Sequence, residues 1–142
     1  MVENDSAFSL EQLYTKGVHD GAADIHAIAS TDQKSAWVMV WNYYDDDLPS
    51  TSTPVTIHLN NLPGNKISLR EYRIDTTHSN AYTAWKQMGS PQQVTKEQYA
   101  TLEKTGKLQT LSNEEGKKIA NRSFTKTIVL PRQGVSLLEF TW

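Results

Sequence analysis

Four histidines, His19, His26, His58 and His78, are the side chains here best able to move a proton or bind a metal near neutral pH. Their spacing offers no HxxxH or HExxH pair, the arrangement that would bring two rings to one helix face. His26 and His58 occupy the polar positions of alternating segments and read as solvated. His78 stands three residues after Asp75, where a β pattern gives way to a helical one. A carboxylate so placed could orient the ring as a base or as a hydrogen-bonding group at an interface. The plainer reading is a loop histidine satisfying local backbone groups, and it outweighs the first because catalysis needs a second positioned group.

Other chemistry is thinner still. Asp45-Asp46-Asp47 could gather oxygen ligands for calcium, but the run lacks the spaced D-x-D-x-D-G pattern and reads as a solvated turn. No two carboxylates are nominated as a glycosidase pair, which would stand roughly 5–9.5 Å apart across a cleft. Trp37, Trp41 and Tyr44 could form an aromatic platform for sugar stacking, although Trp37 and Trp41, on the strongest strand, read first as core. Neither a Gly-rich phosphate loop nor a G-x-S-x-G elbow occurs. No catalytic residue, cofactor or metal site is expected.

These side chains must be held by something, and length and composition bound what. The 142 residues suit one domain with a core of its own. Fourteen Lys plus Arg against sixteen Asp plus Glu give no electrostatic case for nucleic acid or an anionic membrane. With no cysteine there is neither a disulfide framework nor a thiolate metal site. No apolar run approaches a membrane span, and MVENDSAFSL lacks the basic and apolar regions of a signal peptide, so a soluble chain is expected.

Hydrophobic periodicity supplies the elements. AFSLEQLY places Phe8, Leu10, Leu13 and Tyr14 on a short helical stripe. Strands follow at Asp24–Ala29, Ser35–Tyr44 and Pro54–Leu59, the last with Val55, Ile57 and Leu59 inward. On Ser35–Tyr44 one face carries Trp37, Met39, Trp41 and Tyr43 and the other Val38 and Val40, which suggests cover on both sides. Ile67–Ile74 is ambiguous, since Ile67 and Leu69 oppose Tyr72 and Ile74, and a bulge would reconcile them. Ser79 or Asn80 caps a helix through Met88. Thr95 and Gln98 form a capping box for a second helix, stapled by Val94 and Tyr99 and ending with Gly106 at C′. Leu108–Leu111 reads as a short strand before a polar loop, SNEEGKK. Ser123–Leu130 and Val135–Trp142 close the chain, the latter with Leu138, Phe140 and Trp142 on one face. The sum is a mostly β protein, an antiparallel β-sandwich with a helix-loop-helix insertion at about 79–106.

One family shares this order of motifs. Tyr72-Arg73-Ile74-Asp75, His78-Ser79-Asn80-Ala81-Tyr82, Trp85, Met88-Gly89-Ser90-Pro91 and Glu97-Gln98-Tyr99 resemble the region after the catalytic barrel in glycoside hydrolase family 39, the β-xylosidases and their α-L-iduronidase relatives. Trp41-Asn42-Tyr43 with Asp45-Asp46 resembles an earlier strand and turn of that family, and the similarity spans about residues 7–142. The resemblance implies a sandwich (22–142) packed on a (β/α)8 barrel, with 1–21 as the tail of the last barrel helix and a linker. It implies a retaining parent enzyme whose two catalytic glutamates lie on barrel strands. A barrel takes about 250 residues, so this chain has no room for one. Asn113-Glu114 copies the family's acid/base dipeptide but falls in the SNEEGKK loop, so the role does not transfer.

The expected function is therefore a non-catalytic accessory domain whose partner is the barrel. His78, Asn80, Tyr82 and Trp85 are the candidate residues at the barrel interface or cleft border. Exposed apolar surface, or a sheet edge that the family covers with its N-terminal segment, would favour self-association. The alternative expectation is a carbohydrate-binding module using Trp37, Trp41 or Tyr44.

Overall fold

The computed structural model describes residues 10–16, 22–44 and 51–142. Phe8, His19 and Asp45–Asp47 lie outside the described residues. Helix α1 (Leu10–Lys16) leads to β1 (Asp24–Thr31), β2 (Ser35–Tyr43), β3 (Thr53–Leu59) and β4 (Lys66–Ile74). Helices α2 (Ala81–Gln87) and α3 (Lys96–Gly106) come next, followed by β5 (Gln109–Lys118), β6 (Phe124–Leu130) and β7 (Val135–Thr141).

The fold is the expected mostly β antiparallel sandwich with a helical insertion. Five strands form one sheet in the order β1-β2-β7-β4-β5, and β3 pairs with β6 in a second. The core lies between them: Ala36, Val38 and Val40 from β2, Ile67 and Leu69 from β4, Leu138 and Phe140 from β7, Ile128 and Leu130 from β6. Leu62, from the loop before β4, is 3% exposed and joins this core. Burying such side chains stabilises the fold by about 1.5–3 kcal/mol each.

Register decides which face of each strand is inside, and at β2 it reverses the expectation. Ala36 stands opposite Phe140 and Val38 opposite Leu138, so the small side chains of β2 make room for the large ones of β7. Trp37, Met39, Trp41 and Tyr43 therefore lie on the outer face of the five-stranded sheet. The tryptophans are half-buried there and do not enter the sandwich core.

Strand β4 needs no bulge of its own. Against β7 it runs in unbroken register from Ser68–Thr141 to Ile74–Val135. Its inner face begins with Ile67 and Leu69 and continues with Glu71 and Arg73, both buried. The irregularities fall on β5, where the register against β4 shifts twice and Gly116 takes φ 60°. The expected SNEEGKK loop is part of this ten-residue strand. Among the described residues β5 has one neighbour, β4; such an edge strand needs hydrogen bonds more than apolar side chains, and its charges discourage further pairing.

The helix pair follows its local grammar. Asn80 caps α2, its side chain accepting from Thr83 N at 3.0 Å. Thr95 and Gln98 make the capping box on α3. Gly106, however, closes α3 as a helical residue rather than standing beyond it at C′. A Cβ there would lie 3.3 Å from Ala81 Cβ, so its small size lets α3 approach α2 closely. Neither helix holds a fully buried side chain.

Candidate functional site

At the end of β4 the chain leaves the sheet through a turn built on Asp75, a buried residue. Asp75 Oδ1 accepts from the backbone N–H of Thr77 (2.7 Å), the hydroxyl of Thr77 (2.9 Å) and the backbone N–H of His78 (2.8 Å). His78 Nδ1 lies 3.0 Å from the same oxygen. Burial by itself would push the Asp75 carboxyl up, but the hydrogen bonds from Thr77 and His78 hold it below the ordinary value. An ionised carboxylate in this position favours the hydrogen on Nδ1, leaving Nε2 of the half-buried ring as the atom able to meet a partner.

Behind Asp75 runs a line of buried polar groups that sequence reasoning missed. Arg73 Nη1 is 3.7 Å from Asp75 Oδ2 and donates to Val129 O at 3.1 Å. Arg73 Nη2 donates to Glu71 Oε1 at 2.7 Å, and Ser136 Oγ donates to the same oxygen at 2.8 Å. The signal was available: Glu71 and Arg73 continue the period of two that begins at Ile67 and Leu69.

The four interface candidates share this end of the fold, with different freedom. Asn80 Nδ2 donates to Asp75 O at 2.8 Å while its Oδ1 caps α2, so its polar atoms hold the turn. Trp85 Nε1 donates to Pro91 O at 3.0 Å and fixes the loop between the helices. Tyr82 stacks on Trp85 with ring centres 5.7 Å apart and is 59% exposed, with Lys86 Nζ 4.7 Å from its ring centre. Tyr82 is thus exposed and His78 part-exposed, whereas Asn80 and Trp85 spend their polar atoms on local structure.

The three platform candidates do not share a surface. Tyr44 is 4% exposed, with the Arg132 guanidinium 4.4 Å from its ring centre. Trp37 and Trp41 lie on the outer sheet face, where His26 stacks on Trp41 at 5.9 Å and binds Asp24 at 2.8 Å. Around them the face is apolar: Ile28, Met39, Leu137 and Tyr72 stand in one row across four strands, and Trp41, Val135 and Ile74 in the next. Asn113 and Glu114 also separate. Glu114 is ion-paired with Lys126, and that partner holds its carboxyl below the ordinary value. A general acid needs the opposite shift. Among the described residues no three metal-ligating side chains gather, and no helix is long and apolar enough to cross a membrane.

The model of glycosyl hydrolases family 39 matches residues 6–122. The chain belongs to this family. Its fold is similar to that of the family 39 enzyme from Xanthomonas axonopodis pv. citri (TM-score 0.72, 15% identity), covering 82% of this chain and 26% of that one. It is also similar to a monomeric β-xylosidase from Caulobacter crescentus CB15 (TM-score 0.70, 20% identity, 81% and 26% covered). A third likeness is to a bacterial orthologue of human α-L-iduronidase (TM-score 0.59, 13% identity, 84% and 22%). No protein of curated function matches the sequence. The chain thus spans about a quarter of the first two family 39 structures. Strands β6 and β7 lie beyond the span matched by the family 39 model, yet they complete both sheets.

Proposed function

We propose that the chain is a non-catalytic accessory domain of a family 39 glycoside hydrolase. Its partner is the (β/α)8 barrel of a retaining, β-xylosidase-like parent acting on xylo-oligosaccharides, and its work is to cover and brace that barrel. One observation carries this reading: a sandwich whose core is already complete exposes a second apolar face. Ile28 is 60% exposed, Tyr43 49%, Ile74 44% and Met39 38%, with Trp37, Trp41, Tyr72, Val135 and Leu137 half-buried among them. Contiguous apolar surface of this kind marks an interface. The helix pair, with Tyr82 outward and His78 at its base, supports the same reading as the border of that contact or of the substrate cleft.

Sedimentation analysis of the chain, beside an aryl-xyloside assay, tests this. The expected result is concentration-dependent self-association through the exposed face, without turnover. A strictly monomeric profile over a wide concentration range, or measurable hydrolysis, would overturn it.

A further inference from the structure

The outer face of the five-stranded sheet is not uniform. Its apolar rows give way, toward the end of β7, to a cleft of about 520 Å³ over β7, β4 and β5, lined by Ser68, Arg70, Asn113, Glu115, Glu139 and Thr141. The floor is low because Ser68 and Thr141 stand opposite each other and are small. Beyond them β5 bulges at Gly116, whose N–H donates to Ser68 Oγ at 3.1 Å and turns the sheet edge into a wall. The next row is tall: Trp37, Glu139, Arg70 and Asn113 are successive partners across four strands and so share the outer face.

We infer that this cleft is a binding site for a neutral polyhydroxylated ligand, a pyranose unit of an oligosaccharide. Its volume lies within the roughly 300–1,000 Å³ usual for small-molecule sites. Sugar hydroxyls both donate and accept, and the lining offers both capacities. Glu139 and Glu115 accept, Arg70 donates, and the Asn113 carboxamide does each. The groups are held in place before any ligand arrives: Arg70 Nη1 lies 3.7 Å from Glu139 and 3.4 Å from the Tyr72 hydroxyl, and Asn113 Nδ2 donates to Glu115 at 3.2 Å. Such pre-ordering lowers the entropic cost of binding. Charge selects the ligand class. Arg70 and Glu139 offset each other, Glu115 leaves the lining net negative, and an anionic sugar is disfavoured.

This site differs from a Trp37–Trp41–Tyr44 platform. Trp41 lies four residues along β2, about 13 Å away, among the apolar rows. A partner seated on those rows leaves the cleft at their margin. The choice of xylo-oligosaccharides as probes rests on the xylosidase-like reading above; the site itself does not.

The test is an amide NMR titration of the chain with xylobiose, xylohexaose and, separately, glucuronate. Saturable shifts are expected at residues 68–70, 113–116 and 139–141, with glucuronate weaker by about tenfold or more. Arg70→Met and Asn113→Ala, both at exposed positions, should each weaken xylohexaose by about tenfold without lowering Tm, while Trp41→Ala leaves it unchanged. No saturable shift with either neutral sugar, shifts confined to other surfaces, or binding indifferent to Asn113→Ala would overturn the inference. Self-association is measured independently, so a dry cleft on an associating chain refutes the sugar site alone, and a sugar-binding monomer refutes the docking face alone.

Discussion

Glu71 Oε1 lies 2.7 Å from Arg73 Nη2 inside the sandwich, two residues apart on one strand and with both side chains almost wholly buried. Strand β4 therefore changes character midway, from Ile67 and Leu69 at one end of its inner face to an ion pair at the other. Ser136 completes the acceptor side, and Arg73 reaches across to Val129 O on the second sheet. The pair ties the two sheets together at the end where the helix insertion leaves.

Removing Arg73 leaves Glu71 buried without its ion partner, and removing Glu71 leaves Arg73 only the longer 3.7 Å pair with Asp75. Glu71→Ala or Arg73→Ala is expected to cost about 3–5 kcal/mol in urea denaturation. The double variant Glu71→Leu/Arg73→Met should recover most of that loss, because two apolar side chains avoid the desolvation of both charges. A double variant no more stable than the worse single one would mean that this end of the core depends on the ions themselves.

This strand also shows what could and could not be read from sequence. Alternation placed β3 and β7 with their inward faces and β6 as a strand, and capping signals placed both helices, because those signals are local. The orientation of β2 was not local. Two tryptophans carry more apolar area than two valines, yet the register against Leu138 and Phe140 turns the valines inward. The tryptophan face is apolar for a different reason: it is a second surface, and sequence does not separate a surface from a core. Edge strand β5 was hidden by the charges that suit an edge, and the buried Glu71–Arg73 pair by the assumption that charges mark the outside.

Asp75 gives a pH dependence with a definite sign. Its folded carboxyl lies below the ordinary value of 3.8, so between the two values the folded state binds fewer protons than the unfolded one. The stabilisation is complete above the unfolded value, about 3.9, and is lost as pH falls through the lower folded value. Urea midpoints taken from about pH 6 down to about pH 2 should fall more steeply for the native sequence than for Asp75→Asn. Parallel slopes would show that the turn at His78 does not depend on the charge.

Gly134 closes the turn from Pro131 into β7 and accepts from Asn42 N at 3.0 Å. A Cβ at this position would fall 2.7 Å from Pro131 O and 3.0 Å from two carbons of its ring, contacts that backbone must move to relieve. Gly134→Ala is expected to lower stability by about 1–3 kcal/mol, read as a drop in Tm. An unchanged Tm would mean that the turn reopens freely, and that β7 is held by its two neighbouring strands alone.

Leu137 and Leu138 are adjacent on β7 and face opposite ways, which separates the two apolar surfaces in one experiment. Leu138 is fully buried between the sheets, and Leu138→Ala should cost about 2–5 kcal/mol. Leu137 stands opposite Met39 on one side and Tyr72 on the other, outside the core. Met39→Lys/Leu137→Lys should cost less than Leu138→Ala, since Met39 is exposed, Leu137 is only half-buried, and long lysine stems can lie along the sheet with their charges in water. The same variant should abolish the concentration-dependent association expected of the native chain in sedimentation, because two charges placed in the middle of the face must be desolvated for it to close. If the variant unfolds as Leu138→Ala does, the outer face is part of the fold. If it stays folded and still associates, contact runs through another surface, the edge of β3 that has no strand partner among the described residues being the next to examine.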